Sequence, residues 1–183
     1  MTQPRAYLAG PDVFLPDARM LLAAKHDICR SAGLDALPPV DGEMAGDAAD
    51  PLSWARAISR GNEALMNGAD LIVANFTPFR GPGMDAGTAF EVGYMRARGK
   101  PVFAYTNLPG SYLDRVRDNG LTPGVDRRDP DGLLVEDFGL AENLMLATVA
   151  EGGVFAPARR PADIHRDLES FRLAVAAAAD ALG

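Results

Sequence analysis

The chain has 183 residues, 48% of them hydrophobic and 23% charged, a globular composition that excludes a disordered tail or a coiled-coil rod. Its 18 basic and 25 acidic side chains leave a net charge of -7, without the basic footprint that grips a nucleic acid polymer or an anionic membrane. No apolar run approaches the ~20 residues that span a bilayer, and Met1 to Arg5 leads directly into Ala6-Tyr-Leu-Ala9 without a signal-peptide pattern. Cys29 has no second cysteine to pair with, as suits a reducing cytoplasm, the expected compartment. With only His26 and His165 besides, a zinc site and a Cys/His nucleophile pair both lack parts. No metal or cofactor is expected, so catalysis must rest on carboxylates, hydroxyls and amides.

Arg5-Ala-Tyr-Leu-Ala9, stopped by Gly10-Pro11, reads as a first buried strand. Met20, Leu21, Ala24 and Ile28 then recur at helical spacing between Leu15 and Ala32, and Gly33 ends the helix. A second strand is expected at Leu34 to Leu37, followed by a long loop to Asp50. Asp50 caps and Pro51 opens a helix whose stripe of Trp54, Ile58 and Leu65 runs to about Asn67. Asp70-Leu-Ile-Val-Ala-Asn75 is the clearest strand, continuous in the way of strands covered on both faces. After the loop Thr77 to Gly83, a helix is expected from Asp85 to Arg98 and a strand at Pro101-Val-Phe-Ala-Tyr105.

Thr106 to Asp131 reads as loop with at most a short helix, Leu133-Leu-Val135 as a fifth, edge strand, and Glu142 to Val149 as a helix. Ile164, Leu168, Phe171 and Val175 mark a final amphipathic helix. Alternating strands and helices imply right-handed βα units. The expected architecture is therefore α/β: a flavodoxin-like (Rossmann-like) parallel sheet of about five strands flanked by helices, with an extra C-terminal helix. Residues 1–155 would form the catalytic domain and 156–183 the helical extension.

Ligands of open parallel sheets bind beyond the carboxyl ends of the strands, which directs attention to Gly10 to Phe14 and Asn75 to Glu91. Glu91 stands in a helix with Ala89, Phe90, Val92, Gly93, Tyr94 and Met95 around it. A helix apolar on every side is expected to be buried, and an ionised carboxylate there is costly unless paired or hydrogen-bonded. It is either kept for chemistry or held in a buried salt bridge. Gly87 and Gly93, costly in a helix interior, suggest a close backbone or ligand approach. Asp85 reads first as the N-cap of this helix, and Tyr7 as a buried phenol in need of a partner. The Gly81-Pro-Gly83 loop matches neither phosphate-binding glycine pattern. Gly10-Pro-Asp-Val-Phe14 has no Ser, Lys or Arg for a phosphate, and both histidines fall in predicted helices remote from these loops.

Tyr7-Leu-Ala-Gly-Pro-Asp-Val-Phe14, Gly68-Ala-Asp-Leu-Ile-Val-Ala-Asn75, and Asp85 with Gly87-Thr-Ala-Phe-Glu-Val-Gly-Tyr94 together resemble the nucleoside 2-deoxyribosyltransferase family over about Arg5 to Ala150. The resemblance implies that Glu91 is the nucleophile, Tyr7 the phenol orienting it, and Asp85 the carboxylate handling the base or sugar. It also implies substrate contacts from Asp12, Phe14, Asn75 and Thr88. Glu63 stands where the family has a second acid, usually Asp, although by helical spacing alone it reads as a solvated charge. Asn143 resembles the residue that reaches a neighbouring subunit's site.

The implied partners are 2'-deoxynucleosides and free nucleobases, within a homo-oligomer whose subunits share sites. The implied reaction is deoxyribosyl transfer by a retaining double displacement through a covalent Glu91 intermediate. The alternatives are an N-glycosidase acting on deoxynucleosides or their 5'-monophosphates, the latter needing a basic or Ser-rich pocket near Asp12, and a noncatalytic nucleotide-binding module. In some relatives the terminal carboxylate completes a site; here 40 residues follow Asn143, and their helix is expected to pack on the sheet or on a partner subunit.

Overall fold

The computed structural model describes residues 3–39, 50–121 and 123–182. A parallel sheet of five strands runs through it in the order β2-β1-β3-β4-β5. The strands are β1 (Arg5–Ala9), β2 (Asp35–Leu37), β3 (Leu71–Asn75), β4 (Val102–Tyr105) and β5 (Val154–Phe155). This is the flavodoxin-like order, and its direction of winding reverses between β1 and β3, where such folds bind ligands. The helices are α1 (Ala18–Ser31), α2 (Pro51–Gly68), α3 (Ala86–Ala97), α4 (Tyr112–Asp118), the single turn α5 (Leu144–Ala147) and α6 (Glu169–Leu182).

Side chains alternate across β1 and thereby assign its residues to two cores. Ala6 and Leu8 join Ile28 and Cys29 of α1 and Phe171, Ala174, Val175 and Ala178 of α6. Tyr7 and Ala9 join Met66 of α2 and Val92 and Met95 of α3. All of β3 is buried, as its continuous apolar run implies. Lys100 donates to the carbonyls of Met66, Asn67 and Ala69 at 2.7, 2.9 and 2.6 Å, placing a cation at the negative end of α2. Among the described residues no helix is long and apolar enough to cross a membrane.

The edge strand is Val154–Phe155, not Leu133–Val135. The backbone of the latter is engaged locally: Val135 N donates to Arg127 O at 2.8 Å and Asp129 N to Leu133 O at 2.9 Å. Leu133 and Leu134 are exposed, and only Val135 is buried, against Leu113 and Val116. The expected helix Glu142 to Val149 shrinks to the one turn of α5, with Asn143 as its cap.

The final helix begins at Glu169 rather than Ile164. Asn107 Nδ2 donates to the carbonyls of Ile164 and Asp167 at 2.8 and 3.0 Å, engaging backbone acceptors that an earlier helix start would use. His165 consequently lies in a pinned loop. The expected loop after β2 falls mostly on residues 40–49, outside the described residues.

Candidate active site

Tyr7 sits in the middle of β1 on the face covered by α3, so its phenol must find a partner on that helix. It donates to Glu91 Oε1 at 2.5 Å. Glu91 Oε2 has no hydrogen-bond partner among the described residues. Burial pushes the Glu91 carboxyl up to about 7; the Tyr7 hydroxyl opposes that shift and the neighbouring Asp85 charge adds to it. Burial, then the Glu91 charge, holds the Tyr7 phenol far above its usual range, so it remains a donor.

Glu91 borders a cavity of about 390 Å³, with the fully buried Tyr7 behind it. Val13, Phe14, Trp54 and Ile58 supply apolar lining, while Asn62, Asp85, Thr88 and Glu91 supply polar groups. Flat apolar rings beside a few convergent polar groups suit a small aromatic ligand with a polar substituent. Asp85 caps α3 through one oxygen: Oδ2 accepts from Thr88 N at 2.9 Å and Thr88 Oγ1 at 3.0 Å. Its Oδ1 has no hydrogen-bond partner among the described residues, so capping and a ligand contact are compatible. A Cβ on Gly87 would come within 3.0 Å of Asp85 Oδ2, which explains that glycine. Gly93 has open space instead of the expected close approach. Nor is α3 buried all round, since Phe90 is 59% exposed; only the Thr88, Val92, Met95 side faces the core.

The structure brings Tyr7, Phe14, Asp85, Thr88 and Glu91 together, and sets the other expected residues apart. Asp12 is buried in an ion pair, its Oδ2 accepting from Lys25 Nζ at 2.6 Å and its Oδ1 from Asn75 Nδ2 at 3.3 Å. Asn75 is buried too, and its Oδ1 accepts from Thr77 N at 2.9 Å. Both side chains shape the turn after β1, where a Cβ on Gly10 would lie 2.7 Å from Asn75 Cβ. Glu63 is half-buried and lines no described cavity, whereas its neighbour Asn62 does. Asn143 caps α5 through Met145 N at 3.0 Å and donates to Glu136 at 2.8 Å, away from this chain's cavity.

Sequence reasoning missed the buried cations. Lys25 donates to Asp12 and, at 2.6 Å, to the Tyr105 hydroxyl. The signal was its spacing: Lys25 stands four residues after Leu21 and three before Ile28, on the buried stripe of α1. Arg115 pairs with Glu142 at 3.2 Å, both buried, and donates to the carbonyls of Pro82 and Ala141. Glu142 in turn accepts from Met84 N at 3.0 Å and Asn143 N at 2.9 Å, tying the loop before Asp85 to the Asn143 segment. The lining that α2 supplies was also unassigned: Trp54 and Ile58 appear in the sequence simply as a helix stripe. Among the described residues no three His, Cys, Asp or Glu side chains gather as a metal site.

Comparison with known proteins identifies the family and the fold. Residues 6–145 match the model of the nucleoside 2-deoxyribosyltransferase family. An uncharacterised protein of Schizosaccharomyces pombe is 35% identical over 161 residues, covering 78% of this chain and 74% of its own length. A solved 2-deoxyribosyltransferase from Leishmania mexicana superposes with a TM-score of 0.62 at 32% identity, covering 78% of this chain and 85% of its own. A five-stranded parallel sheet and a family match across most of the chain lead to one conclusion: this protein belongs to the nucleoside 2-deoxyribosyltransferase family.

Proposed function

We propose that the protein transfers the 2-deoxyribosyl group between nucleobases by a double displacement at Glu91. The observation that carries this reading is the Tyr7–Glu91 pair, a carboxylate without a cation, one oxygen held by a phenol at 2.5 Å, on the wall of a cavity with aromatic lining. A carboxylate raised to about 7 is a better nucleophile than an ordinary one, and at neutral pH about half of it is ionised. Tyr7 fixes Oε1 and leaves Oε2 to attack.

In the first displacement Glu91 Oε2 bonds to C1' of the deoxynucleoside while the C1'–N bond breaks, its electron pair leaving on the base nitrogen. Asp85 Oδ1 is the group placed to handle the proton on the departing base or to hold the sugar. In the second, the nitrogen of an incoming base attacks C1' from the opposite side and Glu91 leaves as carboxylate, giving net retention. Positive charge developing on the sugar is stabilised by the Glu91 anion. A 2'-hydroxyl would destabilise that cation, so deoxyribosides are the preferred donors. Asn62 and Thr88 face the same cavity as candidate sugar or base contacts. Glu63 and Asn143 enter this proposal through a second subunit or a rearranged α2, Asn143 being supplied to the site of a neighbouring copy.

The test is incubation with one deoxynucleoside and a different free base. A new nucleoside is the expected product; free deoxyribose alone would make the protein a hydrolase, and no turnover with retained binding would make it a nucleotide-binding module. Mass spectrometry after a 2-fluoro-2-deoxy nucleoside should show a sugar adduct on Glu91.

A further inference from the structure

The loop before Asp85 and the segment around Asn143 are joined by one buried ion pair, Arg115 of α4 with Glu142. Arg115 Nε donates to Pro82 O at 2.9 Å, and its Nη2 donates to Ala141 O and, at 3.2 Å, to Glu142 Oε2. Glu142 Oε2 also accepts from Met84 N at 3.0 Å, while Oε1 accepts from Asn143 N at 2.9 Å. Every one of these bonds ends in the short loop before Asp85 or at Asn143 and the residues beside it.

The pair is a poor stabiliser. Both side chains are buried, so desolvation offsets much of their attraction, and Arg115 Nη1 has no hydrogen-bond partner among the described residues. Burial pushes the Glu142 carboxyl up, and the Asn143 amide, the Arg115 charge and the Met84 amide each push it back. The apolar residues of α4 do not extend the main cores: Leu113, Val116 and Val135 form a small cluster of their own with Tyr112. Directional polar bonds therefore join this unit to the loop before Asp85, and such bonds specify geometry more than they add stability. The Asn143 side chain is fixed separately. Its Nδ2 donates to Glu136 Oε1 at 2.8 Å and its Oδ1 accepts from Met145 N at 3.0 Å, while Glu136 Oε2 accepts from Leu144 N at 3.0 Å. Nδ2 carries a second hydrogen that a ligand can accept.

We propose that Arg115 and Glu142 are positioning residues that set Asp85 and Asn143 from one point, and that Glu136 aims the Asn143 amide alone. With Asn143 supplied to a neighbouring copy, a shift at Glu142 disturbs two sites: the chain's own through Met84 and Asp85, and the neighbour's through Asn143. The inference rests on the roles given above to Asp85 and Asn143 and adds the groups that hold them in place.

The test is a set of double-mutant cycles in kcat/KM for deoxynucleoside turnover, counting sugar delivered to base or to water, with unfolding midpoints measured alongside. Asp85→Asn keeps a capping side chain on α3, and Asn143→Ser keeps a capping oxygen on α5 while removing the amide. Glu142→Gln preserves volume but has one acceptor oxygen for the two backbone amides. Arg115→Met/Glu142→Gln removes both charges, so that no buried ion is left unpaired should the single variant fail to fold. In the wild-type background either change should lower kcat/KM at least ~10-fold, as misplacement of reacting groups does. In Asp85→Asn/Asn143→Ser, where neither group remains to be positioned, the same change should cost less than ~3-fold. Glu136→Gln should couple to Asn143→Ser and act independently of Asp85→Asn, whereas Glu142→Gln should couple to both. A purely structural role costs the same factor in every background. Equal losses throughout, or an unaffected rate in the wild-type background, would overturn the inference and leave the roles of Asp85 and Asn143 standing. If Asp85→Asn and Asn143→Ser each turn over at the wild-type rate, those roles fail and the inference falls with them.

Discussion

The two faces of the sheet each bury a carboxylate close to a tyrosine, with opposite consequences. On the α1/α6 face, Asp12 accepts from Lys25, whose ammonium also donates to Tyr105 and lies 5.0 Å from the Phe171 ring centre. Burial pulls the Lys25 amine down and Asp12 pushes it back, so the two charges compensate each other. On the α2/α3 face, Glu91 has a phenol but no cation, opens on a cavity, and has its carboxyl pushed up to about 7. A matched buried pair stabilises a turn. An unmatched carboxylate retains a proton affinity that chemistry can use.

The sharpest way to break this contrast is to remove each group in turn. Glu91→Ala should lower transfer at least ~1,000-fold with the fold intact, as loss of a covalent nucleophile does; a near wild-type rate would end the assignment. Lys25→Met should leave Asp12 as an uncompensated buried charge and lower unfolding stability by about 3–5 kcal/mol in urea titration. A loss below about 1 kcal/mol would mean that water reaches Asp12 and that the two carboxylates differ less than the geometry implies.

Tyr7→Phe removes the hydroxyl that favours ionised Glu91. The variant should transfer roughly 10- to 100-fold more slowly, with the acid limb of its pH–rate profile moved above about 7. Full activity with an unmoved limb would reduce Tyr7 to packing. The smallest effect concerns stability. The Glu91 carboxyl holds its proton more tightly when folded, at about 7, than at its usual 4.5. The wild type should therefore lose stability as pH rises between those values and stay level above them. Glu91→Gln lacks this loss, so its advantage should grow from near zero at pH 4 to about 1–3 kcal/mol at pH 8. Parallel stability curves would show that Glu91 is solvated.

Much of this molecule is legible in its sequence because the signals are local. The runs at Arg5–Ala9 and Leu71–Asn75, the cap at Asp50 and the Asp85 cap before α3 depend on neighbours a few residues away. Glu91 stood out through the apolar residues beside it, although α3 is covered on one side only and Phe90 faces solvent. Leu133–Val135 misled because three apolar residues say nothing about where their backbone hydrogen bonds go, and these close a hairpin. Ile164 misled because helical spacing cannot reveal that Asn107, 57 residues away, engages its carbonyl.

Composition and periodicity alone determined a doubly wound α/β chain, the ends of its central strands as the place for a ligand, and one conspicuous acid. The tertiary structure decided which charges are matched. It gave Asp12 to Lys25, Glu142 to Arg115, and the Glu91 carboxylate to a phenol alone, and it brought the loop before Asp85 and the Asn143 segment to one buried pair. Side-chain identity sets what a group can donate or accept, whereas desolvation and pairing depend on neighbours that only the folded chain brings within a few ångströms.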